Sequence, residues 1–284
     1  MISTLGRYKI ISEIGQGAMG VVYKAVDPVI DRTVAIKTIN LNLSRTELEE
    51  YEARFQQEIK AAGRLNHPNI VTIYDVGKTD QVAYMAMEFL EGQELKDMIS
   101  SGTLPPADQV VEIISQVADG LFFAHQQDIV HRDVKPSNIM VLKNNLAKIT
   151  DFGIARITDS SKTKTGMVLG TPSYMSPEQL SGTKIDGRSD IFSLGVSLYQ
   201  MATGRLPFVG DSMAQLMYKI ANEQQEDVRV LNHALPECLS GIINKALAKN
   251  IDERYQSGAE MAKDLRECMM QKAGATGVDV DFSI

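Results

Sequence analysis

The 284-residue chain contains no tryptophan, two cysteines and no long apolar run. Basic residues are not in excess either, because 29 lysines and arginines face 36 aspartates and glutamates and the formal net charge is -7. General nucleic-acid binders contact phosphates through clustered lysine and arginine, so this charge balance argues against that class. No apolar run is long enough to span a bilayer, and strand-like sequence starts at Tyr8 without a signal peptide before it. We therefore expect no nucleic-acid and no membrane contact by these residues.

The two cysteines, Cys238 and Cys268, lie far apart in the sequence and lack the spacing of metal ligands. Free cysteine is commonly a small buried side chain. The sequence therefore predicts two reduced, buried thiols and, with them, a reducing cytoplasmic location.

The first ninety or so residues are rich in short runs that alternate and carry β-branched side chains, the pattern of β-strands. Five strands are predicted: Tyr8–Ile14, Val21–Val26, Thr33–Ile39, Ile70–Val76 and Val82–Glu88. Between the third and fourth, Ser44–Leu65 places apolar residues at intervals of three and four, which predicts an amphipathic helix. Ser44 and Glu47 form a capping box at its start.

After Glu91-Gly92 the pattern changes to that of helices. The predicted helices include Ala107–Gln127, Ser189–Thr203, Asp211–Asn222, Pro236–Lys249 and Ser257–Gln271. From Ala273 onward the helical period is lost, which predicts a tail. A strand-rich lobe is thus followed by a helical one.

A glycine motif, G-x-G-x-x-G-x-V, runs from Gly15 through Gly17 and Gly20 to Val22. A dinucleotide-binding fold needs a helix directly after such glycines, but a strand is predicted there. The chain also lacks the lysine pattern of a Walker loop. A strand-loop-strand hairpin of this kind can close over nucleotide phosphates. On this motif alone, an ordinary glycine hairpin is the simpler interpretation.

Lys37 lies in the middle of the third predicted strand, which otherwise looks half-buried. A buried ammonium group needs a partner. Glu58 lies beside the apolar face of the predicted helix and is a candidate for that partner. Taken singly, each residue is more simply a surface residue. Together they are better explained as an ion pair that directs Lys37 at phosphates.

The strongest signal is His131-Arg132-Asp133, followed by Lys135, Asn138 and then Asp151. Two carboxylates with a lysine and an amide between them suit magnesium and a transferring phosphoryl group. Asp133 can orient an incoming hydroxyl, and Lys135 can neutralise charge on the transferred group. Turn and cap roles are the alternative for each residue separately. Because four such residues occur in this one order, catalytic roles are favoured over turn and cap roles.

These motifs resemble those of the protein kinase family, most closely the bacterial eukaryotic-like serine/threonine protein kinases, from Tyr8 to Met270. The resemblance implies an α+β, bilobal fold. It implies an N-lobe at residues 8–87 with a five-stranded antiparallel sheet and one long helix, and a hinge at 88–92. A mainly helical C-lobe at 93–270 and a tail at 271–284 would follow. It also implies ATP as donor, Mg²⁺ or alternatively Mn²⁺ as cofactor, and serine or threonine hydroxyls of proteins as acceptors.

The resemblance also assigns roles to residues. Asp133 would be the catalytic base and Lys135 would act on the γ-phosphate. Lys37 would contact the α- and β-phosphates and pair with Glu58, and the metal would be held by Asn138 and Asp151. The implied nucleotide pocket consists of Ile14, Gly15, Gly17, Gly20, Val22, Ala35, Lys37, Glu58, Met87, Glu88 and Leu90.

Further positions follow from the same resemblance. Glu178 would pair with Arg254, and Asp190 would brace the catalytic loop. Phe192 stands where many relatives carry tryptophan. Lys135 and the Gly170–Tyr174 segment resemble the serine/threonine branch. Physically, Thr171 could hydrogen-bond to Asp133 and Lys135.

The segment between Asp151 and Glu178 contains Thr163 and Thr165 in a polar stretch. We expect autophosphorylation there, because a phosphate could bind the guanidinium of Arg132 and order the segment. The alternative is a solvated loop with incidental threonines.

Two other functional classes compete with this interpretation. A nucleotide-binding scaffold without catalysis is disfavoured by the intact Asp133, Asn138 and Asp151. A small-molecule phosphotransferase is disfavoured by the Gly-Thr-x-x-Tyr and Pro-Glu segment, which is typical of peptide kinases. The resemblance further suggests a homodimer through the N-lobe, and a chain that is the cytoplasmic part of a longer membrane-anchored protein.

Overall fold

The computed structural model describes residues 3–17, 20–40, 62–79, 82–152 and 172–275. The chain divides into two compact units. The first comprises the residues up to Gly92 and a segment that begins at Ile149. The second comprises Gln93–Lys148 and the residues from Val168 onward.

The first unit is built on a six-stranded antiparallel sheet with the order β1-β2-β3-β4-β6-β5. Its strands are β1 (Thr4–Leu5), β2 (Tyr8–Gly17), β3 (Gly20–Asp27), β4 (Arg32–Asn40), β5 (Ile73–Lys78) and β6 (Val82–Glu88). The five predicted strands are confirmed. The sixth, β1, was missed because two residues are too short to show an alternating pattern.

The central strand β4 separates two kinds of side chain because successive residues point to opposite faces. Val34 and Ile36 are fully buried in a core that also contains Leu5, Tyr8, Ala25, Tyr84 and Ala86. Ala35 and Lys37 belong to the other face, where Lys37 lies opposite Val22 on β3 and Met85 on β6. The lysine therefore projects from the face that does not carry this core.

The predicted fourth strand begins later than expected, at Ile73. Ile70 instead forms an isolated parallel bridge with Ile149, and Val71 donates its N–H to the carbonyl of Ile149 at 2.9 Å. This pairing fixes the chain two residues before Asp151. Most of the predicted helix Ser44–Leu65, Glu58 included, lies outside the described residues.

The second unit contains a small sheet and eight α-helices among its described residues. The sheet has the order β7 (Gly92–Glu94), β8 (Ile139–Leu142) and β9 (Ala147–Ile149). The helices are α1 (Leu95–Ser100), α2 (Ala107–His125), α3 (Pro177–Ser181), α4 (Gly187–Thr203), α5 (Met213–Asn222), α6 (Val228–Leu231), α7 (Glu237–Ala246) and α8 (Gly258–Ala275). The five helices predicted from periodicity are confirmed. The last one, α8, continues to Ala275, past the start of the predicted tail.

Helix α4 lies in the core of the second unit, because most of its residues are buried. Its N-cap Asp186 accepts a hydrogen bond from the N–H of Arg188, and it ends at Gly204 in the left-handed conformation. Phe192, fully buried, stacks on Phe208 with a ring-centre distance of 6.4 Å. The departure at Phe192 from the resemblance is therefore accommodated by aromatic packing in the core. Within the ranges described, no helix is long and apolar enough to traverse a bilayer.

The prediction of two separate, reduced thiols was wrong. Cys238 on α7 and Cys268 on α8 form a disulfide bond, with their Cα atoms 5.6 Å apart. Separation along the sequence does not report distance in the fold, and the two helices pack side by side in the second unit.

Candidate active site

In the first unit, Lys37 and Asp151 form an ion pair. Lys37 Nζ lies 2.7 Å from Asp151 Oδ2, and the side chains are 15% and 23% exposed. The sequence predicted Glu58 as partner of this lysine, but Glu58 lies outside the described residues. Asp151 adopts a positive φ of 66°, a conformation that is strained for a residue other than glycine. The backbone at Asp151 is therefore held in place by its surroundings.

Next to Lys37 on the same sheet face lies a small apolar cluster. Ala35, Val71 and Met87 are buried there, and Val22, Phe89 and Leu90 pack against them while partly exposed. Four of the residues predicted to line the nucleotide pocket, Val22, Ala35, Met87 and Leu90, are thus brought together. Such a surface fits the flat apolar face of a purine base.

Glu88 lies at the end of β6, where its backbone N–H donates to the carbonyl of Thr72 at 2.9 Å. That N–H is therefore not available to a base edge. Leu90, another predicted hinge residue, lies two residues further on, outside the strand.

The glycine motif forms the β2–β3 hairpin. Gly15 pairs with Val22 and Gly17 pairs with Gly20, while Ile14 lies at a register shift and is 49% exposed. Gly20 has a φ of 153°, and a Cβ added there would lie 1.9 Å from the carbonyl oxygen of Thr38. Only glycine fits this position.

The second unit carries the cluster around Asp133. Lys135 Nζ lies 2.8 Å from Asp133 Oδ2. Asn138 Nδ2 donates to Asp133 Oδ2 at 3.0 Å and to the backbone carbonyl of Asp133 at 2.8 Å. Asp133 itself is 41% exposed on its side chain, so its carboxylate is accessible to a substrate.

Asp190, at the start of α4, holds the backbone just before Asp133. It accepts the N–H of His131 at 2.8 Å and the N–H of Arg132 at 2.7 Å, and it is 1% exposed. His125 Nε2, at the end of α2, lies 2.7 Å from the same carboxylate. Burial raises the pKa of Asp190, but the contacts with His125 and His131 outweigh it, so the pKa is lowered and the carboxylate stays charged.

Arg132 has a positive φ of 67° and is fixed from two sides. Asp190 accepts its N–H, and Gln179 Nε2 of α3 donates to its carbonyl at 2.8 Å. Sequence reasoning missed Gln179 and His125. A signal for Gln179 was available, because Ser176-x-x-Gln179 forms a capping box at the start of α3.

Glu178 and Arg254 form the predicted buried pair, with Arg254 Nη1 2.8 Å from Glu178 Oε1. Ser189 also donates its hydroxyl to Glu178 Oε1, at 2.6 Å. Burial raises the pKa of Glu178, but the bonds from Arg254 and Ser189 outweigh it and the pKa is lowered. The pair ties the start of α3 to the segment before α8.

The donor chemistry of Asn138 and Asp151 fits a hard divalent cation. The Nδ2 group of Asn138 is used by Asp133, which leaves its amide oxygen as the atom that a cation takes. Asp151, in the first unit, has a carboxylate that can bind the same kind of cation. Glu58, Thr163, Thr165 and Thr171 lie outside the described residues, so their predicted roles stay predictions.

Comparison with protein families and relatives extends these observations. The protein kinase domain model matches residues 8–272. The chain is 41% identical over 266 residues to the serine/threonine-protein kinase PknB of Mycobacterium leprae, covering 91% of this chain and 42% of that protein. It is 40% identical over 263 residues to the serine/threonine-protein kinase PrkC of Bacillus subtilis, covering 92% of this chain and 40% of that protein. The chain thus spans about two fifths of the length of these curated relatives.

Solved structures agree with the sequence comparison. The kinase domain of Mycobacterium tuberculosis PknI superposes with a TM-score of 0.76 at 27% identity, covering 94% of this chain and 99% of that one. A single-residue variant of that domain gives a TM-score of 0.75 and covers 95% of this chain.

Proposed function

Because this chain belongs to the protein kinase family, we propose that it transfers the γ-phosphoryl group of ATP to serine and threonine hydroxyls of proteins. The observation that carries this proposal is the cluster in which Asp133 contacts both Lys135 and Asn138. A carboxylate held in this way and still exposed can orient a hydroxyl for attack.

The residues of the second unit would do the acceptor chemistry. Asp133 would accept or orient the proton of the attacking hydroxyl, within hydrogen-bond reach of it. Lys135, 2.8 Å from that carboxylate, would neutralise charge on the group in transfer. Asp190 acts through the backbone of His131 and Arg132 and is a positioning residue, because it fixes the chain that carries Asp133.

The residues of the first unit would bind the donor. The apolar cluster of Ala35, Val71 and Met87 would receive adenine, and the β2–β3 hairpin would cover the phosphates. Lys37 would contact the α- and β-phosphates. Asp151 and, from the second unit, Asn138 would be the ligands of Mg²⁺ or Mn²⁺, which supplies positive charge to the phosphate oxygens when bound.

The test is transfer of label from radiolabelled ATP with Mg²⁺ to a protein substrate rich in serine and threonine. We expect labelled phosphoserine and phosphothreonine with the wild-type chain, and a rate of labelling about 10²–10⁴-fold lower with Asp133→Asn. Hydrolysis without transfer to protein, or phosphotyrosine as the main product, would contradict the proposal.

Regulation through the segment outside the described residues belongs to the same proposal. Thr163 and Thr165 would be autophosphorylated, and the phosphate would bind the guanidinium of Arg132. Arg132 supports this role because its backbone is fixed by Asp190 and Gln179. Mass mapping after incubation with ATP and Mg²⁺ should find phosphate on one or both threonines, and the Asp133→Asn chain is the control.

Protein substrates with serine or threonine acceptors are the proposed partners, in a cytoplasmic location.

A homodimer through the N-lobe is proposed as well. Val29 and Ile30, at the turn between β3 and β4, are 75% and 56% exposed and would be suited to such contact. Sedimentation of the wild-type chain beside Val29→Asp tests this, because a dimer formed elsewhere would not respond to the substitution. The chain as cytoplasmic part of a longer membrane-anchored protein remains a proposal.

A further inference from the structure

We propose that the bond between Cys238 and Cys268 is a reversible modification site, opened and closed by thiol–disulfide exchange with low-molecular-weight thiols and their disulfides. This role rests on the burial of the two sulfurs, on the helices that carry them and on the segment that the bond encloses. One step rests on the cytoplasmic location proposed above.

The two sulfurs differ in accessibility. Cys268 on α8 is 2% exposed, whereas Cys238 in the first turn of α7 is partly exposed. Thiol–disulfide exchange requires an attacking thiolate to reach one sulfur from outside. Cys238 is therefore the sulfur at which exchange begins, and Cys268 is the one that leaves or resolves.

The exchange balances without further reactants. In opening, a thiolate RS⁻ attacks Cys238 Sγ, the S–S bond breaks and Cys268 leaves with the electron pair as a thiolate. A second RS⁻ then attacks the sulfur of R in the mixed disulfide, releasing Cys238 as a thiolate and forming RSSR. Two thiols are oxidised and one protein disulfide is reduced, and the two protons released by the thiols pass to the cysteines. Closing is the reverse, with RSSR as oxidant.

The fold accommodates the open form as well as the closed one. Cys238 Sγ lies 3.6 Å from the carbonyl oxygen of Cys268, which can accept a weak hydrogen bond from the thiol of Cys238 once the bond is reduced. Helix α8 keeps other ties, because Arg266 pairs with Asp119 of α2 and Asp264 accepts the hydroxyl of Tyr255 at 2.8 Å. Opening therefore loosens α8 without releasing it.

The bond encloses a functional segment. Residues between Cys238 and Cys268 include Arg254, the partner of Glu178. Closing the bond restricts this segment in the unfolded chain and so stabilises the fold. In a reducing compartment permanent disulfides are uncommon, and those that occur are mostly transient or redox-sensing. The Cys238–Cys268 bond is therefore suited to open and close with the ratio of low-molecular-weight thiols to their disulfides.

The test uses the purified full chain, equilibrated with oxidised glutathione or with dithiothreitol and then trapped with N-ethylmaleimide under denaturing conditions. Intact mass should show no adduct after oxidised glutathione and two adducts after dithiothreitol, and the change should reverse on switching reagents. The melting temperature should be about 5–10 °C higher in the oxidised form.

Matched single variants test the assigned order of attack. Cys268→Ser leaves the accessible thiol, which should form a mixed disulfide with oxidised glutathione. Cys238→Ser leaves the buried thiol, which should react at least about tenfold more slowly in the folded chain. Equal rates for the two variants would overturn the assigned order.

A bond that resists millimolar dithiothreitol in the folded chain, or wild-type thiols that never pair, would overturn the proposal itself. The adduct count of the wild type decides this even if a serine variant fails to fold. None of these readouts requires phosphoryl transfer, so their failure is distinct from failure of the proposed kinase activity.

Discussion

Asp133 carries the proposed chemistry, and its environment is made by residues that follow it closely in the sequence and by a residue of helix α4. Asn138 and Lys135 contact its carboxylate, and Asp190 of α4 holds the two residues before it. The order of these residues predicted a phosphoryl-transfer site. Their distances could not be predicted, because Asp190 is more than fifty residues away and only the fold brings it to His131.

Replacement of Asp133 by asparagine should remove activity and spare the fold. Asparagine keeps the size and an acceptor for Asn138 but cannot take a proton, so we expect kcat to fall by about 10²–10⁴-fold. Because the side chain is 41% exposed, the melting temperature should stay within about 1–2 °C of the wild type. Steady-state kinetics and calorimetry on the same preparation measure both.

Asp211→Asn is the control for that substitution, since Asp211 is exposed in the loop before α5. Asp211→Asn should change neither kcat nor the melting temperature. Retention of more than a tenth of wild-type kcat by Asp133→Asn would remove this residue from the role of base.

Helices and strands were the features that the sequence predicted best. Alternating apolar and polar residues predicted the five longer strands. Apolar residues spaced three and four apart predicted helices α2, α4, α5, α7 and α8. The two-residue β1 carries no readable period, and the shift of β5 to Ile73 arises because Ile70 pairs with Ile149 on a distant segment. Tertiary pairing of this kind leaves no local pattern.

Two helical glycines provide a test at this scale, because their surroundings are opposite. Gly241 in α7 is exposed, and an added Cβ would meet nothing within 4 Å. Gly195 in α4 is buried, and an added Cβ would lie 2.8 Å from Cβ of Ala246. We expect Gly241→Ala to raise the free energy of unfolding by about 0.5–1 kcal/mol through helix propensity.

Gly195→Ala should instead lower the free energy of unfolding by about 1–3 kcal/mol, because overpacking outweighs the propensity gain. Urea unfolding of both variants beside the wild type measures the difference. Equal effects from the two substitutions would show that helix propensity alone decides.

Across the molecule, acid stability should depend on the buried Glu178–Arg254 pair. The pKa of Glu178 is lowered in the folded chain from an ordinary value near 4.5. Its contribution is therefore fully present above about pH 5 and is lost as the pH falls through the folded pKa. At pH 7 we expect Glu178→Gln to lower the free energy of unfolding by about 3–5 kcal/mol, because the charge of Arg254 is left buried without its partner.

The gap in free energy of unfolding between wild type and Glu178→Gln should narrow as the pH falls below 5. Urea titrations between pH 3.5 and 7 measure it. A gap that stays constant over this range would show that packing, and not ionisation, sets the loss.

Lys249 should also make stability rise with pH, but in the alkaline range. Its ammonium lies 3.7 Å from the centre of the Phe208 ring and donates to the carbonyl of Ile220 at 2.7 Å. Burial, with a smaller effect of Arg254, lowers its pKa to about 8. The unfolded chain therefore binds more protons between pH 8 and 10, and stability should rise with pH over that range.

Replacing Lys249 by methionine should flatten this rise, as measured by urea unfolding between pH 7.5 and 9.5. The raised pKa values of Tyr8 and Tyr255 act only at higher pH, where they lower stability as the pH increases. An identical slope in wild type and variant would contradict the assignment.

The disulfide is the feature of the whole molecule that the sequence analysis predicted wrongly. Two cysteines on separate helices carry no spacing signal, and their pairing depends on how α7 and α8 pack. The contact of Lys37 with Asp151 likewise carries no local signal, because the two residues are 114 positions apart in the sequence.

The left-handed backbone of Arg132 and Asp151 has a consequence for engineering. Each of these residues costs the chain about 1–3 kcal/mol where glycine would cost less. A search for heat-tolerant variants would therefore reward Arg132→Gly and Asp151→Gly, although these changes remove the two side chains to which we assign regulation and metal binding. Libraries selected for thermal stability alone should therefore become enriched in glycine at these two positions and in variants without kinase activity.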